Sequence, residues 1–491
     1  MSPPWPKGKK LVHLDLKGAP PRVEYLHKLI ELFSKLGVDG LLMEYEDMFP
    51  YEGELRLLQA TAQPAYSREE LLSIQESAKA KGMEVIPLVQ TFGHMEFVLK
   101  HRPLWHLREV PHCIPLWHLR EVPHCVGTLN PHKEEGVKLV MEMLRQVVEM
   151  HPELRTVHIG ADEVYTLGEG EDSKLWLAST GHSVEQLFLS HVTKVAKAIK
   201  EAWPDMTIIM WDDMMRGMSQ DTLKASGLVG LVQPMLWDYT PNLDVERTVS
   251  LLEKYCGAGM SDLWAASAFK GSTSVHTCVT CTQRHVDNHL QWLKVAASLP
   301  SAINMRGMAL TGWQRYDHLS VLCELLPVAL PSLASCLQTL THGQFSAEAQ
   351  RKVTETLGVS SVEVEAMERT SAGESLFPGR KLAELIVEIN SLLDSEDLRF
   401  FESNMFVRGW FSPYHRQRKM VNPSNSMHIH NQASLYLDTL QEKVEALRKE
   451  MVNLYPDSTA EEWIEEHVGP VTAPLQRITE AIQDCVKEMV P

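Results

Sequence analysis

Two adjacent carboxylates, Asp162-Glu163, end the apolar run TVHIGADE at 156–163. In extended backbone successive side chains point to opposite faces. The pair therefore cannot work as opposed groups across a substrate, where about 5 Å or more must separate them. The two residue types suit separate tasks at one strand end. Glu163 is placed to give a proton to a leaving oxygen, and Asp162 to orient and polarise a second group. A carboxylate neighbour also tends to raise one of the two pKa values, as an acid working near neutral pH requires. The plainer alternative is a salt-bridged rim, since Asp-Glu dipeptides are common on any surface.

Tryptophan supplies a second signal. Trp211, Trp237, Trp264 and Trp313 stand near the ends of four later apolar runs. Aromatic faces stack on the apolar faces of pyranose rings, and their edges can wall an acetamido pocket. A single tryptophan is most simply core packing. Four in succession, each followed within a few residues by a polar group, read as a carbohydrate site. His94, in QTFGHMEF, follows Gly93, which the sequence reads as the residue of a tight turn. Its place brings it within reach of a sugar hydroxyl or of the carboxylates, against the alternative of a structural histidine.

These residues need a scaffold that gathers strand ends. Short apolar runs with polar ends recur at 11–16, 40–47, 84–91, 156–163, 207–213, 229–239, 262–270 and 307–315. Amphipathic segments at 24–36, 68–81, 134–150, 183–203 and 282–298 lie between them. Alternating strands and helices mean a parallel sheet, and eight units predict an α/β (β/α)8 TIM barrel over 1–325 rather than a doubly wound sheet. In such barrels chemistry sits at the carboxyl ends of the strands. Asp15 and Lys17, Glu44, His94, Asp162-Glu163, Trp211 to Asp213, Tyr239, Lys270 and Trp313 all fall there. From 326 to 491 the pattern is helical alone, with segments at 325–340, 348–357, 380–394, 432–453 and 459–489, and predicts an all-helical C-terminal domain. Its stretch 406–419 is aromatic and basic, and reads as either a cap or subunit interface or a solvated loop. PLWHLREVPHC at 103–113 recurs letter for letter at 115–125. One perfect repeat reads as either a recent local duplication in a barrel loop or an error of sequence assembly, not as a solenoid, and is assigned no function.

Composition narrows the classes. A net charge of −17 argues against nucleic acid as the main partner. No run of about 18 apolar residues appears, so no membrane partner is expected. The segment before the first strand lacks the apolar core of a leader, and the eight cysteines are sparse, so reduced thiols in the cytoplasm and nucleus are expected. Cys278-x2-Cys281 with His285 and His289 has ligand types for zinc. The spacing to the histidines is short for a finger, however, and a thiol-bearing loop followed by a helix is the default.

The chain resembles glycoside hydrolase family 20, which contains the lysosomal β-hexosaminidases, and looks most like a nucleocytoplasmic branch of it. The resemblance rests on LVHLDLKGAP (11–20), LLMEYEDMFPYEG (41–53), VIPLVQTFGHMEFVLKH (85–101), HIGADEVYTLGEG (158–170), LWDYTPNLDV (236–245), LWAASAFKG (263–271), LTGWQRYDHLSVLCELLP (310–327) and RGWFSPYHRQRK (408–419). It implies a retaining β-N-acetylhexosaminidase without a cofactor or metal, acting on terminal N-acetylhexosaminides of glycoconjugates. The substrate's own acetamido oxygen would serve as nucleophile. Glu163 would be general acid and then base, Asp162 would hold the acetamido N–H, and Tyr239 would donate to its oxygen. Trp211, Trp237 and Trp313 match the family's aromatic box, and His94 its glycine-histidine segment. Glu44 and Asp213 join the substrate-binding candidates.

Three departures stand out. The family arginine after strand one is missing, so Asp15 or Lys17 must take its place. The family's Trp-x-Glu at strand eight is Trp313-Gln314-Arg315 here. The family tyrosine comes from strand seven, whereas Tyr239 ends the sixth run. The altered strand-eight contact fits a preference for GalNAc over GlcNAc. A helical C-terminal domain also fits a homodimer. Two other classes compete: a metal-dependent barrel hydrolase using Asp15, His94, Asp162 and Asp213, which would be EDTA-sensitive, and a silent sugar-binding protein.

Overall fold

The structure, a computed structural model, describes residues 4–5, 8–101, 119–121, 125–367 and 377–487. Eight parallel strands run β1 Lys9–Asp15, β2 Gly40–Glu44, β3 Glu84–Leu88, β4 Thr156–His158, β5 Thr207–Trp211, β6 Val232–Trp237, β7 Asp262–Lys270 and β8 Asn304–Gly312. They pair in sequence order, and β1 closes on β8, so the sheet is a complete barrel. Closure leaves no sheet edge to protect and buries both faces, which is why the runs read as nearly continuous apolar stretches.

The expected amphipathic helices form at Val23–Lys35, Arg68–Ala80, Glu134–Met150, Val184–Ala202 and Thr282–Ser298. Two of them begin with a capping box. Ser67 and Ser183 accept from the backbone N–H three residues on, and Glu70 and Gln186 accept in return. Each such cap is worth about 1 kcal/mol. The helix Val245–Gly257, outside the expected amphipathic segments, is capped by Asp244.

Inside the barrel, small and large side chains alternate. Ala266 and Ala309 make room for the buried Trp211 and Trp264 among Leu11, Leu42 and Ile209. Trp264 corrects one expectation. It sits near the amino end of the nine-residue β7, its indole N–H donating to Gln233 Oε1 at 2.8 Å. A Cβ on Gly307 would lie 2.6 Å from its ring. It is a core plug at the opposite end of the strand from the chemistry.

The domain boundary also moves. The chain divides into units of residues 1–378 and 379–491, not at 325/326. The helix Leu326–His342 is buried along nearly its whole length and packs on β7 and on Thr282–Ser298, with Ser332 Oγ donating to the Phe269 carbonyl at 2.8 Å. It is the outer helix of the last barrel repeat, which its all-round apolar character signals.

The second unit is helical: Arg380–Leu393, Pro423–Met451, Asp457–His467 and Gly469–Lys487. The expected helix 459–489 is thus two, and 406–419 folds as two short helices, Met405–Trp410 and Pro413–Gln417. Most of the 103–125 duplication lies outside the described residues. From its second copy, Glu121 is buried and accepts from the Gly168 and Gly170 N–H groups at 3.0 and 3.2 Å, which anchors the loop after β4. Among the described residues no helix is long and apolar enough to cross a membrane.

Candidate active site

β4 is only three residues long because the backbone leaves the ladder to build the site. Gly160, Ala161 and Glu163 take left-handed φ values of 64°, 65° and 50°. Non-glycine residues adopt that region rarely and at a cost of order 1–3 kcal/mol each. His94 (φ 49°) and Glu46 (φ 45°) share it, so four of the five non-glycine cases among the described residues stand at this end of the barrel. Gly93 itself has no positive φ. A Cβ there would lie 2.2 Å from the Asp162 carbonyl, so the glycine serves a close approach of two loops rather than a turn.

Glu163 Oε2 faces His94 Nε2 at 2.9 Å, and Oε1 accepts the Tyr165 hydroxyl at 2.8 Å. His94 Nε2 also lies 3.6 Å from Asp162 Oδ2. Asp162 Oδ1 accepts from Gln90 Nε2 at 3.1 Å. Asp213 stands behind them, accepting from the Glu163 N–H at 2.9 Å and from the Trp237 indole at 3.2 Å.

The charges divide as this geometry dictates. Burial works against the charge on His94, but Asp162 and Glu163 outweigh it and raise the imidazolium to about 10. The bonds from His94 and then Tyr165 hold Glu163 below its ordinary carboxyl value. Burial raises Asp162. Burial, with Asp162 next, raises Asp213 to about 7. The resting pair is therefore carboxylate against imidazolium, with one proton shared between Glu163 and His94.

On the β1–β2 side, Lys17 Nζ lies 3.1 Å from Asp15, 3.2 Å from Glu44 and 3.5 Å from Glu46. Burial opposes its charge, yet these carboxylates lift it well above the ordinary lysine value. Despite burial, Lys17 and His13 lower Glu44 to about 2.

Trp211, Trp237, Tyr239 and Trp313 wall the cleft opposite. Trp211 and Trp313 meet at 5.9 Å and 45°, Trp237 stacks on Tyr239 at 5.3 Å, and the Trp313 indole donates to Tyr239 Oη at 3.1 Å. Burial keeps the Tyr239 phenol above its ordinary value, hence protonated.

Of the residues singled out from the sequence, Lys17, Glu44, His94, Asp162, Glu163, Trp211, Trp237, Tyr239 and Trp313 line this one cleft of about 220 Å³. Asp15 and Asp213 do not line it. Asp15, expected to bind substrate, accepts from the Lys17 and Gln314 N–H groups at 3.1 and 2.7 Å and so fixes Lys17 and the loop after β8. Sequence reasoning missed Gln90, Tyr165 and Tyr316. Gln90 ends an apolar run and was open to the strand-end rule. Tyr165 had no periodic signal. The expected thiol loop precedes the helix Thr282–Ser298. There the His289 ring is engaged by Ser267 Oγ and the His285 carbonyl, both at 2.7 Å, not aimed at Cys278 or Cys281.

The model of the glycosyl hydrolase family 20 catalytic domain matches residues 37–239. Hexosaminidase D of Homo sapiens is 48% identical over 494 residues, covering 100% of this chain and 97% of that protein. Hexosaminidase D of Bos taurus is 54% identical over 354 residues, 72% of this chain and 98% of that protein. A solved family 20 β-N-acetylhexosaminidase from Streptomyces coelicolor A3(2) overlaps 71% of this chain and 69% of its own at 15% identity and a TM-score of 0.47. That likeness is too loose to add weight. With near-complete coverage at such identity, and the carboxylates and tryptophans gathered at the mouth of a closed barrel, the chain belongs to glycosyl hydrolase family 20 and is a glycoside hydrolase among its hexosaminidases.

Proposed function

We propose that the chain is a retaining exo-β-N-acetylhexosaminidase that removes terminal GalNAc, in preference to GlcNAc, from glycoconjugates by substrate-assisted catalysis. The observation that carries this reading is the Asp162-Glu163 pair on a cleft whose other walls are Trp211, Trp237, Trp313 and Tyr239. A buried carboxylate beside an aromatic box suits an acetamido group, which needs an N–H acceptor and apolar walls. The acetamido oxygen attacks the anomeric carbon as the glycosidic C–O bond breaks. The proton shared by His94 and Glu163 goes through Glu163 to the leaving oxygen. Asp162 accepts the acetamido N–H and balances the charge of the oxazolinium ring. Tyr239 donates to its oxygen. Glu163, now a carboxylate, takes a proton from water as the water oxygen attacks the same carbon and reopens the ring. Two inversions give retention.

The GalNAc preference is supported at strand eight. Gln314 Nε2 donates to the Cys323 and Glu324 carbonyls at 3.0 and 3.3 Å, and Arg315 donates to the Ser320 carbonyl. The two residues that follow Trp313, where the family motif has its carboxylate for O4 and O6, are thus bonded to the chain's own carbonyls. Lys17 takes the missing arginine's place on the sugar hydroxyls. Cytoplasm and nucleus remain the proposed location, and the seven free cysteines of the described residues suit it.

The test is a paired kinetic assay on nitrophenyl GalNAc and GlcNAc glycosides. Glu163→Gln is expected to lower hydrolysis about 10²–10⁴-fold. Full retention of activity sinks the assignment. Equal cleavage of hexosides lacking the 2-acetamido group ends the substrate-assisted mechanism. One observation favours a second reading: His94, Asp162 and Glu163 bring three ligand atoms within 4.8 Å of one another, as a metal-dependent hydrolase would require. That reading predicts activity abolished by EDTA and restored by a divalent ion.

A further inference from the structure

Both carboxylate oxygens of Glu163 are engaged in the resting site. Oε2 meets His94 and Oε1 accepts the Tyr165 hydroxyl at 2.8 Å. A proton donor must bring one of these oxygens to about 2.6–3.2 Å from the leaving oxygen. The His94 side is closed, because Asp162 and Glu96 flank the imidazole at 3.6 and 3.9 Å. The Tyr165 side is open, since Tyr165 is 72% exposed. Its N–H donates to the Glu163 carbonyl at 2.8 Å, so the turn that carries Glu163 also aims the phenol back at it.

We infer that Tyr165 is a positioning residue whose hydroxyl holds the place of the leaving-group oxygen on Glu163 and is displaced when a glycoside binds. The inference rests on Glu163 being the proton donor, as proposed above. It gives the latch two effects. The phenol occupies the donor oxygen only until an aglycone arrives. Its departure also removes one of the bonds that hold Glu163 ionised, so the carboxyl holds the proton more readily when the leaving group is in place to receive it. A ligand with no aglycone leaves Tyr165 where it is.

Tyr165→Phe tests this, since it keeps an exposed ring and removes only the hydroxyl. For the full chain acting on an aryl N-acetylhexosaminide, KM is expected to fall about three- to tenfold, the worth of one modest hydrogen bond no longer broken on binding. kcat is expected to stay within about twofold, because the bound wild type has already lost that bond. Isothermal titration with a non-hydrolysable S-aryl thioglycoside should show the same gain, and an aglycone-free thiazoline none. A kcat drop of about tenfold with KM unchanged would mean that the hydroxyl stays on Glu163 through the reaction, and overturns the inference. Unchanged KM and kcat, or an equal gain for both ligands, also overturns it. The titrations need no turnover. They are therefore distinct from failure of the proposed activity, which shows as an undiminished Glu163→Gln.

Discussion

Two clusters of carboxylates stand at the barrel mouth, one wholly buried and one half-buried, and they are neutralised differently. At the β1–β2 corner, Asp15, Glu44 and Glu46 surround Lys17, a cation whose proton is held more tightly than in water. Glu44, at 3.2 Å from Nζ and 2.9 Å from His13, falls to about 2, while the more distant Glu46, buried and pressed by its acidic neighbours, rises to about 8. At the β4–β5 corner, Asp162 and Glu163 face His94, a cation that titrates, and Asp213 stands behind them. The lesson is one of fixed against movable charge. In the lysine corner Lys17 and Glu44 keep their charges at any working pH and can hold a sugar hydroxyl, and only Glu46 titrates, near 8. The histidine corner can pass a proton, because its cation and its carboxylate differ by one shared hydrogen.

Breaking the fixed corner should cost most. Lys17→Met leaves three buried carboxylates without their cation, and denaturant unfolding is expected to show a loss of about 3–5 kcal/mol. A loss under about 1 kcal/mol would mean the corner is as adaptable as its opposite. At the movable corner the cost should fall on activity. Asp162→Asn is expected to lower kcat/KM on acetamido-bearing substrates by about 10²–10³-fold with no comparable loss of stability.

The next prediction sharpens the contrast through pH. In the wild type the shared proton leaves as pH passes about 10, the His94 value, so the alkaline limb of kcat/KM should lie there. In His94→Gln the proton rests on Glu163 alone and the limb should move below neutrality. Identical limbs would show that His94 holds no part of the catalytic proton.

The smallest effect concerns Asp213. Its folded value of about 7 exceeds the ordinary 3.8, so the fold favours the protonated form. Stability from this group is present at low pH and is lost as pH rises through about 7. Thermal melts of Asp213→Asn should gain on the wild type by a few degrees more at pH 8 than at pH 4. A difference independent of pH would count against a strained carboxylate there.

Much of this was legible in the sequence, for a definite reason. The period of apolar residues encodes which face of a strand or helix is buried, and a barrel sends all its strand ends to one face. That logic alone placed Asp162, Glu163, His94, Trp211, Trp237, Tyr239 and Trp313 together. It failed where position along the strand mattered. Trp264 lies at the amino end of a nine-residue strand, so proximity to an apolar run did not mean proximity to the mouth. It failed again at 326–342, where a helix without a polar face belongs to the barrel rather than to a second unit.

What the sequence determined by itself was the fold class and the inventory of the mouth. Only the tertiary structure decided how that inventory is engaged. Asp15 looked as available as Glu44, yet closure of β1 on β8 puts its carboxylate against the Gln314 N–H. Tyr165 looked like an ordinary loop residue, yet a left-handed Glu163 turns it back onto its own neighbour. Hydrogen-bond partners distant in sequence, and backbone angles imposed by packing, leave no period in the chain, because they are set by the register of the closed sheet.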